Sequence, residues 1–91
     1  MKIRLVDGRE FETSSFAEAH GVLFISFPNS VLNFGEAFTV FSKKKNTSRI
    51  EFLFDEFAPA RIYEGYTNLV SIQKDYRDKD SDIKIILKKE S

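Results

Sequence analysis

The sequence predicts an α+β domain: a mostly antiparallel sheet of about six or seven short strands, with one main helix near residues 34–44 packed on it. Three observations carry this prediction. Apolar and polar residues alternate in several short stretches, as in "SRIEFLF" (48–54) and "IKIILKK" (83–89), with the period of a half-buried strand. One stretch alone repeats its apolar residues at helical spacing: Phe34, Ala37, Phe38 and Phe41. Ten of the 91 residues are phenylalanine, a ring with no polar handle that belongs in a packed core. A chain of this length makes one domain, residues 1–91.

The first element is a hairpin, "KIRLVDGREFET". A two-residue loop at Asp7-Gly8 would set Ile3 against Glu12 and Leu5 against Glu10, mixing charge and apolar surface on one face. A three-residue loop, Val6-Asp7-Gly8 with Gly8 left-handed, pairs Ile3 with Phe11, Arg4 with Glu10 and Lys2 with Glu12. One face is then apolar and the other carries opposite charges across from each other, so the bulged loop is preferred. "SSFAEAHG" (14–21) follows as a connection with turn residues or a short helical turn. "VLFISF" (22–27) is a strand with Leu23, Ile25 and Phe27 on one side and Val22 and Phe24 on the other, the pattern of a central strand covered on both faces.

The helix follows Pro28. Asn33 is placed as its N-cap with Glu36 at N3, a capping box. Lys43, Lys44 and Lys45 lie where the helix dipole favours cations, and Asn46 takes the left-handed position beyond the end. In the next strand Ile50, Phe52 and Phe54 point inward, Arg49 and Glu51 outward. "DEFAPA" (55–60) is a loop containing Pro59. "RIYEGYTNLVSIQ" reads as strand distorted at Gly65, with Leu69 opposite in direction to Val70 and Ile72. "KDYRDKDSD" (74–82) is a charged loop, and Ile83, Ile85 and Leu87 share one face of the last strand. Repeats, linkers and low-complexity tracts are not evident.

Composition closes several functional routes. The chain has no cysteine, hence no disulfide, thiolate nucleophile or thiolate-held metal. Fourteen basic and fourteen acidic residues cancel, so the broad positive field used in nonspecific nucleic-acid binding is missing, and little charge repulsion opposes self-association. The charged start "MKIRLVDGRE" is unlike a signal peptide, and the longest apolar runs are too short to cross a bilayer. The expected setting is the host cytoplasm or a virion, with no membrane partner, no nucleic-acid partner and no cofactor.

Four groups of residues qualify as sites. Tyr63 and Tyr66 flank a glycine and can leave the strand on opposite sides of a bend, as a clamp for a peptide, sugar or base. The structural account, rings buried at a sheet edge with wet hydroxyls, is preferred because no polar cluster accompanies them. Asp78, Asp80 and Asp82 have the alternate spacing that opens calcium loops, but Ile83 stands where such a loop needs glycine and Lys89 where it needs glutamate. His20, the single histidine, would have to serve any Ser-His-Asp site, yet "AHG" reads as a turn. Lys43–Lys45 with Arg49 could touch phosphates, but acidic Glu51, Asp55 and Glu56 lie close by in sequence. Catalytic residues are therefore expected to be none, and metal ligands none beyond the three aspartates.

The strongest functional clue is an imbalance. One amphipathic helix covers one sheet face, while strands 22–27 and 69–72 are apolar on both. The second face is covered by the chain curling on itself, by a second copy or by another protein.

The order of features "VDG", "LFISF", "NFGEAFTVFS", "NTSRIEF", "YEGYTNLVSI" and "IKIILKK" resembles small uncharacterised proteins of phages and prophages of Gram-positive bacteria. The likeness spans nearly the whole chain and rests on structural motifs. It implies a non-enzymatic virion or accessory protein, with no site residues to transfer. The expectation is a non-catalytic structural or protein–protein interaction module, able to form homo-oligomers. Tyr63 and Tyr66 are its contact candidates. The alternative is a small ligand-, metal- or nucleic-acid-binding domain.

Overall fold

A computed structural model describes residues 1–90. Eight strands and two short helices follow one another as β1 (Lys2–Arg4), β2 (Glu10–Glu12), β3 (Ser15–Ala19), β4 (Val22–Phe27), α1 (Phe34–Phe41), α2 (Lys44–Thr47), β5 (Arg49–Leu53), β6 (Arg61–Glu64), β7 (Asn68–Gln73) and β8 (Ile83–Lys88). They form two antiparallel four-stranded sheets, ordered β2-β1-β5-β6 and β3-β4-β8-β7. The α+β class is as expected. The single sheet is replaced by two, and the strands number eight rather than six or seven.

The two halves of the chain trace the same path. Each contributes a hairpin to the first sheet and then a hairpin to the second, and the inner strands β1, β5, β4 and β8 join the halves. This topological repeat has no counterpart that can be read in the residues.

The first hairpin has the expected register: Lys2 opposite Glu12, Ile3 opposite Phe11, Arg4 opposite Glu10. Gly8 has φ +90°, the left-handed conformation the bulged loop requires. The connection expected at 14–21 is instead strand β3 with a two-residue turn. His20 and Gly21 both have positive φ, 53° and 79°, the pattern of the turn that folds adjacent strands together with the correct twist. The alanines of "SFAEA" favour a helix, but cross-strand pairing with β4 prevails.

Between the sheets lies one core. Ile3 and Leu5, Ile50 and Phe52 enter from the first sheet; Leu23, Ile25, Phe27, Ile83, Ile85 and Leu87 enter from the second. Phe16 of β3 stacks on Phe52 of β5 at 3.9 Å between ring centroids, spanning the two layers. Along one side, β3 and β6 close the layers through Phe16 and Tyr63, edge to face at 6.1 Å, with the Arg61 guanidinium over the Phe16 ring. Along the other, α1 fills the gap between the β2 and β7 edges.

This placement explains why the helix differs from expectation. A helix wedged between two edges buries only a narrow stripe, here Ala37, Val40 and Phe41. Phe34 and Phe38, assigned inward by spacing alone, stand exposed. Asn33 is the expected N-cap, its Oδ1 accepting from the Glu36 N–H at 2.8 Å, but the expected capping box is not closed: the Glu36 carboxylate accepts from the Asn33 side-chain amide rather than from its backbone N–H. The far end comes early, at Phe41. Lys43 is extended (ψ 113°), so the lysines begin α2 instead of finishing α1. Asn46 does cap the helix, but with its buried side chain: its Nδ2 donates to the Val40 carbonyl at 2.9 Å.

Two further corrections concern direction. In β7 a bulge between Leu69 and Ser71 sets Leu69 opposite Leu87 and Ile72 opposite Ile85. One extra residue inverts the alternation, so Leu69 and Ile72 both face the core and Val70 is extruded. Phe54 lies past the end of β5 and is exposed rather than inward.

Candidate functional site

The outer faces of the two sheets are chemically opposite. On the β2-β1-β5-β6 sheet the exposed rows hold mostly charges that neutralise one another, with Leu53 and the 43%-exposed Ile62 as the apolar positions among them. Arg4 donates to Glu10 Oε2 from both Nε and Nη2 at 3.1 Å and lies 3.6 Å from Glu51, which in turn receives Arg49 at 3.6 Å. The terminal ammonium sits 3.2 Å from Glu12. Such pairs add little stability, but they make a well-solvated surface.

On the β3-β4-β8-β7 sheet the register defines three outward rows. The middle row runs Ala17, Phe24, Ile86, Ser71. One side of it holds Ala19, Val22, Lys88 and Asn68; the other holds Ser15, Ser26, Lys84 and Gln73. The extruded Val70 adds to the centre. Phe24 is 44% exposed and Val70 55%, while Val22 and Ile86 are half-buried. The alanines beside Phe24 leave its ring standing above an otherwise low surface. Lys84 and Lys88 flank this apolar strip, and no carboxylate occupies any position of the three rows. Acidic residues stand at both ends of the strip: Asp75 and Asp82 of the β7–β8 loop beside Lys74 and Lys84, and Glu90, bound to Lys44, beside Lys88 and Asn68.

Bulky residues on both sides of a strand predict cover on both sides. β4 is central, as expected, but its Val22–Phe24 face is bare. The signal for β8 was present in "IIL": Ile86 falls out of phase with Ile83, Ile85 and Leu87 and so belongs to the second face. Ala17 and Ala19 lie in a segment without strand periodicity of its own, so their place on this face is not visible in the sequence.

The tyrosines are brought together inside rather than opposed across a bend. Gly65, φ +84°, lies where the chain passes from β6 to β7 and thus from one sheet to the other. Tyr63 and Tyr66 meet edge to face at 5.7 Å, and Tyr63 also packs on Phe52. Tyr66 is only 6% exposed, and its hydroxyl donates to Glu18 Oε1 at 3.1 Å. Burial, then the hydrogen bond to that carboxylate and its charge, push the phenol above its ordinary value of 10.0.

The aspartates of the 74–82 loop cap separate turns: Asp75 Oδ1 accepts from the Arg77 N–H and Asp78 Oδ1 from the Asp80 N–H, both at 2.9 Å. Among the described residues no three His, Cys, Asp or Glu side chains gather to hold a metal ion. His20 is exposed at the tip of the β3–β4 turn. Lys44 of the lysine run is paired with Glu90 at 2.6 Å. An open apolar groove of about 630 Å³ lies where α1 meets β2, with Phe11, Leu32 and Val40 at its base and Arg9 and Glu36 at its margins.

No helix among the described residues is long and apolar enough to cross a membrane. No protein-family model, curated protein or solved structure matches the chain, so the phage resemblance rests on the quoted sequence features alone.

Proposed function

We propose that this chain is a non-catalytic interaction module whose contact surface is the outer face of the β3-β4-β8-β7 sheet. The observation that carries this reading is the contrast between the two outer faces. One is a self-neutralised ladder of charges interrupted by Leu53 and Ile62, which are set apart by the charged residues between them. The other sets exposed Phe24 and Val70 beside half-buried Val22 and Ile86. Contiguous exposed apolar surface rimmed by polar residues marks sites of protein contact.

The rim specifies the partner. Lys84 and Lys88 stand beside the strip without a carboxylate in the same rows. The complement is a protein surface with apolar side chains between carboxylates. Nucleic acid is the weaker fit, because a single ring stands on this face and single strands bind on several stacked aromatics in a basic groove. A small phage virion or accessory protein, the type the resemblance implies, works by contacts of this kind.

The test is an amide-shift titration of the labelled protein with three probes: a synthetic peptide with apolar residues between carboxylates, its lysine-flanked counterpart, and a single-stranded oligonucleotide. The acidic peptide is expected to move Ala17, Phe24, Val70, Ile86 and Lys88, and the basic one to leave them unmoved. The reading is refuted by shifts confined to Phe11, Leu32 and Val40, which indicate a small-ligand groove. Salt-sensitive oligonucleotide shifts on the strip, or equal response to both peptides, also refute it.

A further inference from the structure

The chain itself carries the complement of this face. The β5–β6 turn, residues 54–60, presents Phe57, at 89% the most exposed of the large apolar residues. Phe54 beside it is also exposed. The turn is held in shape: Asp55 Oδ1 accepts from the Phe57 and Ala58 N–H groups, each at 2.8 Å, and Pro59 follows. Phe57 is thus presented on a pre-ordered knob, and little ordering entropy is lost when it docks.

The surroundings of the knob are acidic. Asp55 and Glu56 are exposed, and Glu10 and Glu12 line the same depression with Leu53 and Phe54. Arg4, Lys2 and the terminal ammonium are the cations there, Arg4 bound to Glu10 and the ammonium to Glu12, so this end carries one more carboxylate than cations. The strip on the other sheet carries two lysines and no carboxylate. One surface is apolar with Asp55 and Glu56 at its margin, the other apolar with Lys84 and Lys88 in its rows, and the zero net charge of the chain conceals both. The two surfaces lie on different sheets, so the knob and strip of one molecule are not in contact.

We propose that the partner is a second copy of this chain: the Phe54–Phe57 knob of one molecule docks on the Phe24–Ile86 strip of the next, with Asp55 and Glu56 beside Lys84 and Lys88. This rests on the strip being a contact surface, as proposed above, and adds the identity of the occupant. A contact between two unlike patches either repeats head to tail, into a ring or filament, or is exchanged reciprocally in a pair. Symmetric stacking of strip on strip is disfavoured, since it gathers four lysines around an apolar contact without a counter-charge.

The test is sedimentation velocity on the wild-type chain, on Phe57→Asp (knob disabled), on Phe24→Asp (strip disabled) and on an equimolar mixture of the two variants. The wild-type mass is expected to rise with concentration and to fall back with salt. Each variant alone is expected to stay monomeric. The mixture is expected to form a 1:1 complex that grows no further, because one molecule supplies the only intact strip and the other the only intact knob. Lys84→Glu with Lys88→Glu, mixed with Glu56→Lys, tests the same contact with exposed positions that spare the Asp55 turn bonds, in case Phe24→Asp does not fold; each variant alone is expected to assemble less than wild type, and the mixture, in which the reversed knob meets the reversed strip, to regain assembly. A wild-type chain that remains monomeric at near-millimolar concentration overturns the inference, as does a Phe57→Asp chain that assembles like wild type. In either event the peptide titration still decides separately whether the strip is a contact surface.

Discussion

The same residue type on opposite faces of one strand gives the sharpest test of how the layers are arranged. Phe24 and Phe27 both lie on β4. Phe27 is 0% exposed and packs against Phe41 at 5.6 Å and edge-on against Phe11 at 6.3 Å. Phe27→Ala removes the buried ring and leaves a cavity between rigid neighbours, at a cost of about 3–5 kcal/mol. Phe24 is nearly half exposed already. Full burial of such a side chain is worth roughly 1.5–3 kcal/mol, so Phe24→Ala costs about half of that, and water fills the space left behind. The weaker strand preference of alanine adds up to about 1 kcal/mol to both. A domain of this size is stable by roughly 5–14 kcal/mol in total. Phe27→Ala therefore removes a third or more of the stability and lowers Tm by on the order of 20 °C, while Phe24→Ala lowers it by roughly half as much or less. Urea denaturation at a dilution where the chain is monomeric measures both, and an unchanged m-value confirms that stability alone has moved. Equal losses for the two variants, or a larger loss for Phe24→Ala, would falsify the assignment of faces on which the functional reading depends.

Two further outcomes follow from the same structure. The Tyr66 phenol is raised in the folded chain, so it holds its proton more tightly there than when unfolded; its contribution is complete below pH 10 and is lost as pH rises through the folded value. Tyr66→Phe should cost about 0.5–1.5 kcal/mol at neutral pH through loss of the Glu18 bond, and should flatten the alkaline decline in Tm; an alkaline decline identical in both chains would place its origin elsewhere. Asn46→Ala leaves the Val40 carbonyl without its donor in a buried site and should cost about 1–3 kcal/mol, with Asn46→Asp worse because a carboxylate then faces that carbonyl; a neutral Asn46→Ala, measured by urea midpoint, contradicts the capping role.

What could be read from the residues was whatever depends on near neighbours. The first hairpin, with its left-handed Gly8 and its register, followed from charge and apolar matching across three pairs. The Asn33–Glu36 cap followed from spacing of three. What could not be read depends on distant partners. "SFAEA" has no strand signature of its own and becomes a strand because the His20-Gly21 turn lays it on β4. The direction of Leu69 depends on a bulge that no Gly or Pro within β7 announces. Whether Phe34 and Phe38 are inside depends on α1 sealing a gap between two edges, which only the tertiary arrangement determines. The contact face was half legible. Val22 and Phe24 showed a second apolar side, but its Ile86 neighbour was masked in an apolar run, and its openness could not be known until no element was found to cover it. Phe57 was legible only as loop, since exposure of a ring at a turn has no sequence period.

The claim that this protein acts by contact, through one particular sheet face and one particular turn, is tested most directly by comparing amide spectra of the wild-type chain at low micromolar and near-millimolar concentration. The account predicts shifts at Ala17, Phe24, Val70 and Ile86, together with Phe54 and Phe57, and silence along Arg4, Arg49 and Glu51. Shifts centred on that charged ladder, or spectra unchanged across the whole range, would contradict it.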